Sequence, residues 1–350
     1  MANTLAVFDV SPFIYKGHNM KSFDLESVYG FPIKGARYLL KYITKELKFN
    51  NDIVLCFDSK SFRKKILKTY KAHRTPCIEV YAQLDFLYKY LTECGFVCYK
   101  QDGYEADDFI YNVCFANAGK YKNIKVYGTD YDLTHNVDEY GTVFESISSL
   151  TYSVDKNNFS TILGEEDEEV YFNTITAYKI FVGDKSDTVK PFTSEKGYRG
   201  IDIYKVYVDI LKEQCSHESS YYIKSRDVLW YFIENCGYFT EKDLNELKIR
   251  LDVFYPATIP CNSEGVEYDY KQTSNMNNIN KNMYGKLTRT VKDFDTTTVL
   301  DLDQGGSSAA VKEYLYTQAN ALKEGSYGVN TNLPKDFSRL KTKSLILNGF

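Results

Sequence analysis

Three carboxylates crowd into four consecutive positions of Gly103-Tyr104-Glu105-Ala106-Asp107-Asp108, where an apolar run begins. That run, with Ala106, Phe109, Ile110, Val113 and Cys114, has the spacing of a helix face turned to a core. Glu105 and Asp108 then fall three apart in the first turn, where the helix dipole favours negative charge. Like charges this close are tolerable only where solvent or a bound cation compensates them. A helix start decorated with acids is the plain reading of the stretch taken alone. The rest of the chain argues for more.

Further acids stand at the ends of apolar runs. Thr4 to Val10 reads as a buried strand with Asp9 at its far end, and Asp52 to Asp58 as a second ending on Asp58. A short strand is predicted over Phe96 to Tyr99. A fourth, Ile124 to Tyr127, leads into Gly128-Thr129-Asp130-Tyr131-Asp132. Helices are predicted over Ile33–Leu47, Glu79–Glu93, Tyr104–Asn117 and Glu168–Phe181, the last ending at Gly183 before Asp184-Lys185-Ser186-Asp187. This alternation predicts an α/β fold with a mainly parallel central sheet flanked by helices, whose ligand sites collect at the carboxyl ends of strands. Gly30 and Gly35 have the spacing of a phosphate-binding loop, but Ala36 and Arg37 follow where that loop needs Lys and Ser/Thr.

Residues 141–163 suggest a hairpin. Helices are expected over Ile203–Lys212, Tyr221–Asn235, Glu241–Val253 and, after a Gly-Gly-Ser-Ser turn at 305–308, Ala309–Leu322. Asn262 to Lys286 reads as a long loop or a segment ordered on binding. The expected organisation is an α/β domain over 1–190, with a basic arm at about 60–95, and a mainly helical region over 191–350.

Net charge is −4, yet Lys60, Arg63, Lys64, Lys65, Lys68, Lys71 and Arg74 follow one another with no acid among them. Solvated helices usually mix their signs, so a one-signed run points to an anion-binding arm. The eight cysteines are scattered, and His18, His73, His135 and His217 stand apart from one another and from them, which argues against zinc. No run of eighteen apolar residues and no basic leader occurs, so neither membrane span nor signal peptide is indicated and the cytoplasm is expected.

Asp9, Asp58, Glu105, Asp107, Asp108, Asp130, Asp132, Asp184 and Asp187 could thus converge at one sheet edge. Such a cleft needs cations, and all-oxygen ligands suit Mg²⁺ or Mn²⁺. Two ions there would support metal-assisted phosphodiester hydrolysis.

The order of these blocks resembles the 5′ nucleases: flap endonucleases, phage RNase H and the 5′-3′ exonuclease domain of bacterial DNA polymerase I. The matching residues are Phe8-Asp9, Phe57-Asp58, Phe62-Arg63, Tyr70-Lys71, Arg74, Glu105-Ala106-Asp107-Asp108, Thr129-Asp130-Tyr131-Asp132 and Val182-Gly183-Asp184-Lys185-Ser186-Asp187. The resemblance implies the PIN-like 5′ nuclease fold. By it, Asp9, Asp58, Glu105 and Asp107 hold a first metal, Asp130, Asp132, Asp184 and Asp187 a second, and Asp108 a shared or outer position.

The basic arm corresponds to that family's helical arch. Lys71 and Arg74 would grip the scissile phosphate, Tyr70 would stack on an unpaired base, and Arg63, Lys64, Lys65 and Lys68 would bind backbone. The family's following helix-hairpin-helix often holds K⁺; its glycine-rich hairpin is here reduced to Pro191–Gly200, where Lys196 and Arg199 are the expected phosphate contacts. The implied partners are DNA with a 5′ flap or 5′ end, an RNA–DNA hybrid, and a single-strand-binding protein or sliding clamp, in replication such as a phage's. Competing readings are a PIN-type ribonuclease, a non-catalytic junction-binding factor on the same fold, and a small-molecule phosphatase, which gives no reason for the arm.

Overall fold

Thr4–Asp9, an apolar run with one charge, is buried from end to end in the computed structural model and forms strand β1. The structure describes residues 4–20, 34–136, 142–147, 153–154, 161–163, 169–171, 174–215 and 226–285. After β1 come α1 (Val10–His18), α2 (Lys34–Lys48), β2 (Asp52–Cys56), the single turn α3 (Arg63–Ile66), α4 (Ile78–Glu93) and β3 (Val97–Tyr99). Next are α5 (Ala106–Asn117), β4 (Asn123–Gly128), a 3-10 segment (Tyr131–Asn136), β5 (Thr142–Ser146), β6 (Ser153–Val154), β7 (Thr161–Leu163) and β8 (Glu169–Tyr171). The helices α6 (Ile175–Val182), α7 (Gly200–Cys215), α8 (Arg226–Asn235) and α9 (Glu241–Phe254) complete the order.

These elements form two units. The first holds the described residues within Met1–Asp9, Asp58–Thr75 and Tyr99–Gln272; the second holds those within Val10–Phe57, Pro76–Cys98 and Thr273–Phe350. Residue 190, the boundary expected from sequence, falls inside the first unit.

In the first unit β4 pairs in parallel with β1 on one side and β5 on the other, and β6 runs antiparallel to β5. The sheet is thus mainly parallel, with the expected hairpin at its edge. A second core gathers α6 to α9 around Phe181, Phe192, Ile203, Leu247 and Leu251, all nearly solvent-free. Gly183 closes α6 at φ 89°, a conformation that favours glycine, and a Cβ there would meet Val189 O at 2.5 Å.

In the second unit α1, α2 and α4 pack together beside β2. Leu39, Leu40, Ile43 and Leu47 give α2 its buried face. Gly35, part of the rejected phosphate-loop spacing, serves packing: a Cβ there would lie 2.6 Å from Ile14 O, and one on Gly17 would lie 2.8 Å from Gly35 Cα. Gly30 lies outside the described residues.

One expectation is corrected: residues 169–171 are a strand rather than part of the expected helix, because Glu169–Tyr171 pairs antiparallel with Thr161–Leu163, and α6 starts at Ile175. The polar stretch from 262 is mostly the long loop that was one of its two expected forms, and its described residues are pinned within each unit. Ser274 exchanges backbone hydrogen bonds with Ile53 (2.7 and 3.0 Å), and Tyr99 OH donates to Asp269 O at 2.8 Å. The expected turn at 305–308 and helix over 309–322 lie outside the described residues, as do Ile33, residues 221–225 and Lys286. No described helix is long and apolar enough to cross a membrane.

Candidate metal centre

Strand register assembles the first acids. Phe8 sits opposite Tyr127 and stacks on it at 4.8 Å, so Asp9 leaves β1 beside Gly128 at the end of β4. A Cβ on Gly128 would lie 3.6 Å from the Asp9 Cβ. Asp130 and Asp132 follow, with Asp132 N donating to Asp130 Oδ1 at 3.1 Å.

The acidic stretch is the amino end of α5, as its spacing suggested. Asp58 Oδ1 accepts from Ala106 N at 2.9 Å, and Asp108 Oδ2 accepts from Glu105 N at 3.0 Å. The start of the basic arm is stapled to the preceding turn: Phe62 N donates to Gly103 O (2.7 Å) and Gly103 N to Lys60 O (2.8 Å).

After α6, Asp184 organises a tight turn. Its Oδ1 accepts from Ser186 N (2.7 Å), Ser186 Oγ (2.6 Å) and Asp187 N (3.2 Å). Asp187 O in turn accepts from Lys71 N at 2.9 Å, which fixes Lys71 in a left-handed conformation, φ 51°, that few non-glycine residues adopt.

Two lysines stand among the acids. Lys71 Nζ lies 2.8 Å from Glu105 Oε1. Lys179 Nζ lies 2.6 Å from Asp132 Oδ2, 2.6 Å from Asp184 Oδ2 and 3.6 Å from Asp130 Oδ1, so one ammonium joins acids from two elements. Sequence reasoning missed Lys179. Its signal is a lone charge within the apolar helix Ile-Thr-Ala-Tyr-Lys-Ile-Phe-Val, where a buried ammonium requires partners.

The electrostatics divide the acids. Burial, then the charges of Asp58, Asp107 and Asp130, push the Asp9 carboxyl well above the usual range. Burial and Asp130 raise Asp107 in the same way. Burial and Asp130 push Asp132 up to about 7. For Asp130 and Asp184 burial is outweighed by Lys179, and both lie below the usual value. Glu105 is likewise held low by Lys71 and Arg63 against its burial.

The donor set fits a hard divalent cation. All ligands are carboxylate oxygens, and Asp9 Oδ1 and Asp132 Oδ1 are buried with no hydrogen-bond partner. Among the described residues no three of these carboxylates place one oxygen each within 4.8 Å of one another. Cation binding would therefore draw the acids in and displace ammonium groups that now offset part of their charge.

Residues 4–164 match the family described as "5'-3' exonuclease, N-terminal resolvase-like domain". Over those residues the chain is similar to the 5′-3′ exonucleases. A 5′-3′ exonuclease of Mycoplasma genitalium is 27% identical over 162 residues, covering 44% of this chain and 53% of that protein. DNA polymerase I of Helicobacter pylori is 28% identical over 192 residues, 53% of this chain and 20% of the polymerase. The chain thus matches about half the length of its exonuclease relatives and a smaller share of the polymerases. Among solved structures, the phage T5 D15 protein co-crystallised with metal ions aligns over 84% of this chain and 100% of its own, at 15% identity and TM-score 0.47.

Several residues of the basic arm stand elsewhere than expected. Asp108 is no metal ligand here: it is solvent-free, and both oxygens are engaged, by Arg63 Nη1 and Nη2 (2.8 and 2.6 Å) and by Ala257 N (2.7 Å) as well as Glu105 N. Arg63 is 3% exposed and donates further to Val253 O and Tyr255 O, so it anchors the fold rather than gripping DNA. Tyr70 is 4% exposed with its hydroxyl on Glu105 Oε2 at 3.0 Å, which leaves no face for a base. Lys64, Lys65 and Lys68 are exposed as expected. Arg74 pairs with Asp187 at 2.9 Å but keeps half its side chain in solvent. Lys196 donates to Gly237 O, and Arg199 pairs with exposed Asp202. The arm expected over 60–95 consists of the short α3, a run of turns to residue 74, and α4, which belongs to the second unit.

Proposed function

We propose that the chain is a metal-dependent, structure-specific 5′-3′ nuclease that hydrolyses phosphodiesters at 5′ ends or flaps of DNA. The observation that carries this reading is the grouping of Asp9, Asp58, Glu105, Asp107, Asp130, Asp132, Asp184 and Asp187 around buried Lys179 and half-buried Lys71 beside an exposed basic arm. The 5′-3′ exonuclease match over residues 4–164 supports it. Asp9, Asp58, Glu105 and Asp107 would hold one Mg²⁺ or Mn²⁺, and Asp130, Asp132, Asp184 and Asp187 a second. Bound there, the ions would supply Lewis-acid activation of water and of the leaving oxygen.

The chain's own groups do the positioning. Lys71, freed from Glu105 as a cation enters, would donate to the scissile phosphate. Tyr70 and Arg63 hold the Glu105 carboxylate in place meanwhile. Lys71→Ala is therefore expected to lower the single-turnover cleavage rate by about 10²-fold; an unchanged rate would remove Lys71 from that role. Lys64, Lys65 and Lys68 would meet backbone phosphates, so replacing them with Ala should flatten the log–log salt dependence of DNA affinity by about one per lysine. An unaltered slope in the triple variant would mean that the arm does not touch DNA.

The deciding experiment is digestion of a 5′-labelled flap duplex and of an RNA–DNA hybrid with the same end, in Mg²⁺ and in EDTA. Product lengths sort flap cutting from stepwise exonuclease or RNase H action. Intact binding with no product on either substrate would move the reading to a junction-binding factor.

A further inference from the structure

Among the described residues, a histidine and a cysteine that stand apart in sequence meet in the fold. His18 ends α1, Cys77 immediately precedes α4, and Glu79 lies in the first turn of α4. His18 Nε2 is 3.8 Å from Cys77 Sγ across 59 positions of sequence, and Cys77 Sγ donates to Glu79 Oε2 at 3.3 Å. One potential ligand atom from each of the three lies within 4.8 Å of the others, and among the described residues this is the one such group of His, Cys, Asp and Glu side chains. All three residues are half-buried, so an ion can reach them.

We propose that His18, Cys77 and Glu79 bind one Zn²⁺, separate from the carboxylate centre of the first unit. With Zn–S about 2.3 Å and Zn–N or Zn–O about 2.0–2.2 Å, ligands of one tetrahedral zinc stand roughly 3.6 Å apart. The 3.8 and 3.3 Å separations bracket that value without a metal present. A thiolate, an imidazole and a carboxylate favour a borderline-soft ion over Mg²⁺, which the all-oxygen centre favours instead. The thiol proton, which now points at Glu79, leaves to solvent as the metal takes its place. Cys77 also sits at the amino end of a sixteen-residue helix, whose dipole favours a thiolate, while burial and the Glu79 carboxylate push the metal-free thiol up. Three protein ligands leave a fourth position for water. The bound ion would tie the end of α1 to the start of α4.

The test loads the full chain, in excess Mg²⁺, with one equivalent of Co²⁺ as a spectroscopic stand-in for Zn²⁺. A thiolate-to-cobalt charge-transfer band in the near ultraviolet is expected, bleached by equimolar Zn²⁺; cobalt at the carboxylate centre has no sulfur ligand and gives none. Cys77→Ser should abolish the band, and His18→Gln and Glu79→Gln should each weaken cobalt binding, with far-ultraviolet circular dichroism unchanged. Zn²⁺ should raise the unfolding midpoint of the parent chain but not of Cys77→Ser. A parent chain without the band, or a band that survives Cys77→Ser, overturns the proposal.

Discussion

Replacing Asp130 or Asp184 by Asn is expected to abolish cleavage while leaving DNA binding close to that of the parent. A catalytic metal supplies several kcal/mol of transition-state stabilisation, so losing a ligand that holds it should cost at least about 10³-fold in single-turnover rate. Asn keeps the shape of the side chain, and in either variant Lys179 retains two acidic neighbours. The fold should therefore survive. Binding is proposed to rest on the exposed lysines of the arm, which neither change touches. Gel-shift affinity and single-turnover rate measured together separate the two quantities, and cutting retained by both variants would contradict the assignment.

Arg63→Ala is expected to have the largest effect on stability. Arg63 neutralises Asp108, which has no solvent exposure, and satisfies the Val253 and Tyr255 carbonyls at the end of α9. Removing one partner of a buried pair strands the other charge and costs about 3–5 kcal/mol. Arg63→Lys should recover only part of this, because one ammonium cannot reproduce the fork that meets both Asp108 oxygens. Urea unfolding measures the effect; a loss below about 1 kcal/mol would mean that the pair behaves as a surface one.

The contrast between the acids and Arg63 marks how much of the centre could be read from residues alone. The acids were legible because each stands where an apolar run stops, at the ends of β1 and β4 and at the start of α5, and periodicity locates such ends well. The division of labour within the basic run was not. Arg63 looks like its neighbours Lys64 and Lys65, and only the fold reveals that it turns inward to a buried carboxylate forty-five positions away. Lys179 was missed for the complementary reason: a single charge in an apolar helix interrupts the pattern without announcing its partners.

Secondary structure failed where pairing overrides local preference. Glu169–Tyr171 is held extended by β7, and no local signal separates it from the helix that follows. Helix α1 was not expected; it follows β1 directly and carries Pro12 in its first turn, where proline is tolerated. The meeting of His18 with Cys77 is likewise tertiary, and the sequence separation that argued against zinc carries no weight once α1 and α4 pack together.

Single-turnover cleavage of a 5′-flap duplex across a Mg²⁺ titration asks whether the clustered carboxylates hold divalent cations that cut a phosphodiester. No cleavage is expected in EDTA, with a rate that climbs more steeply than first order in Mg²⁺ before saturating and no recovery by Asp130→Asn at any Mg²⁺ concentration. Cleavage that persists in EDTA, or that Asp130→Asn leaves intact, would contradict that role.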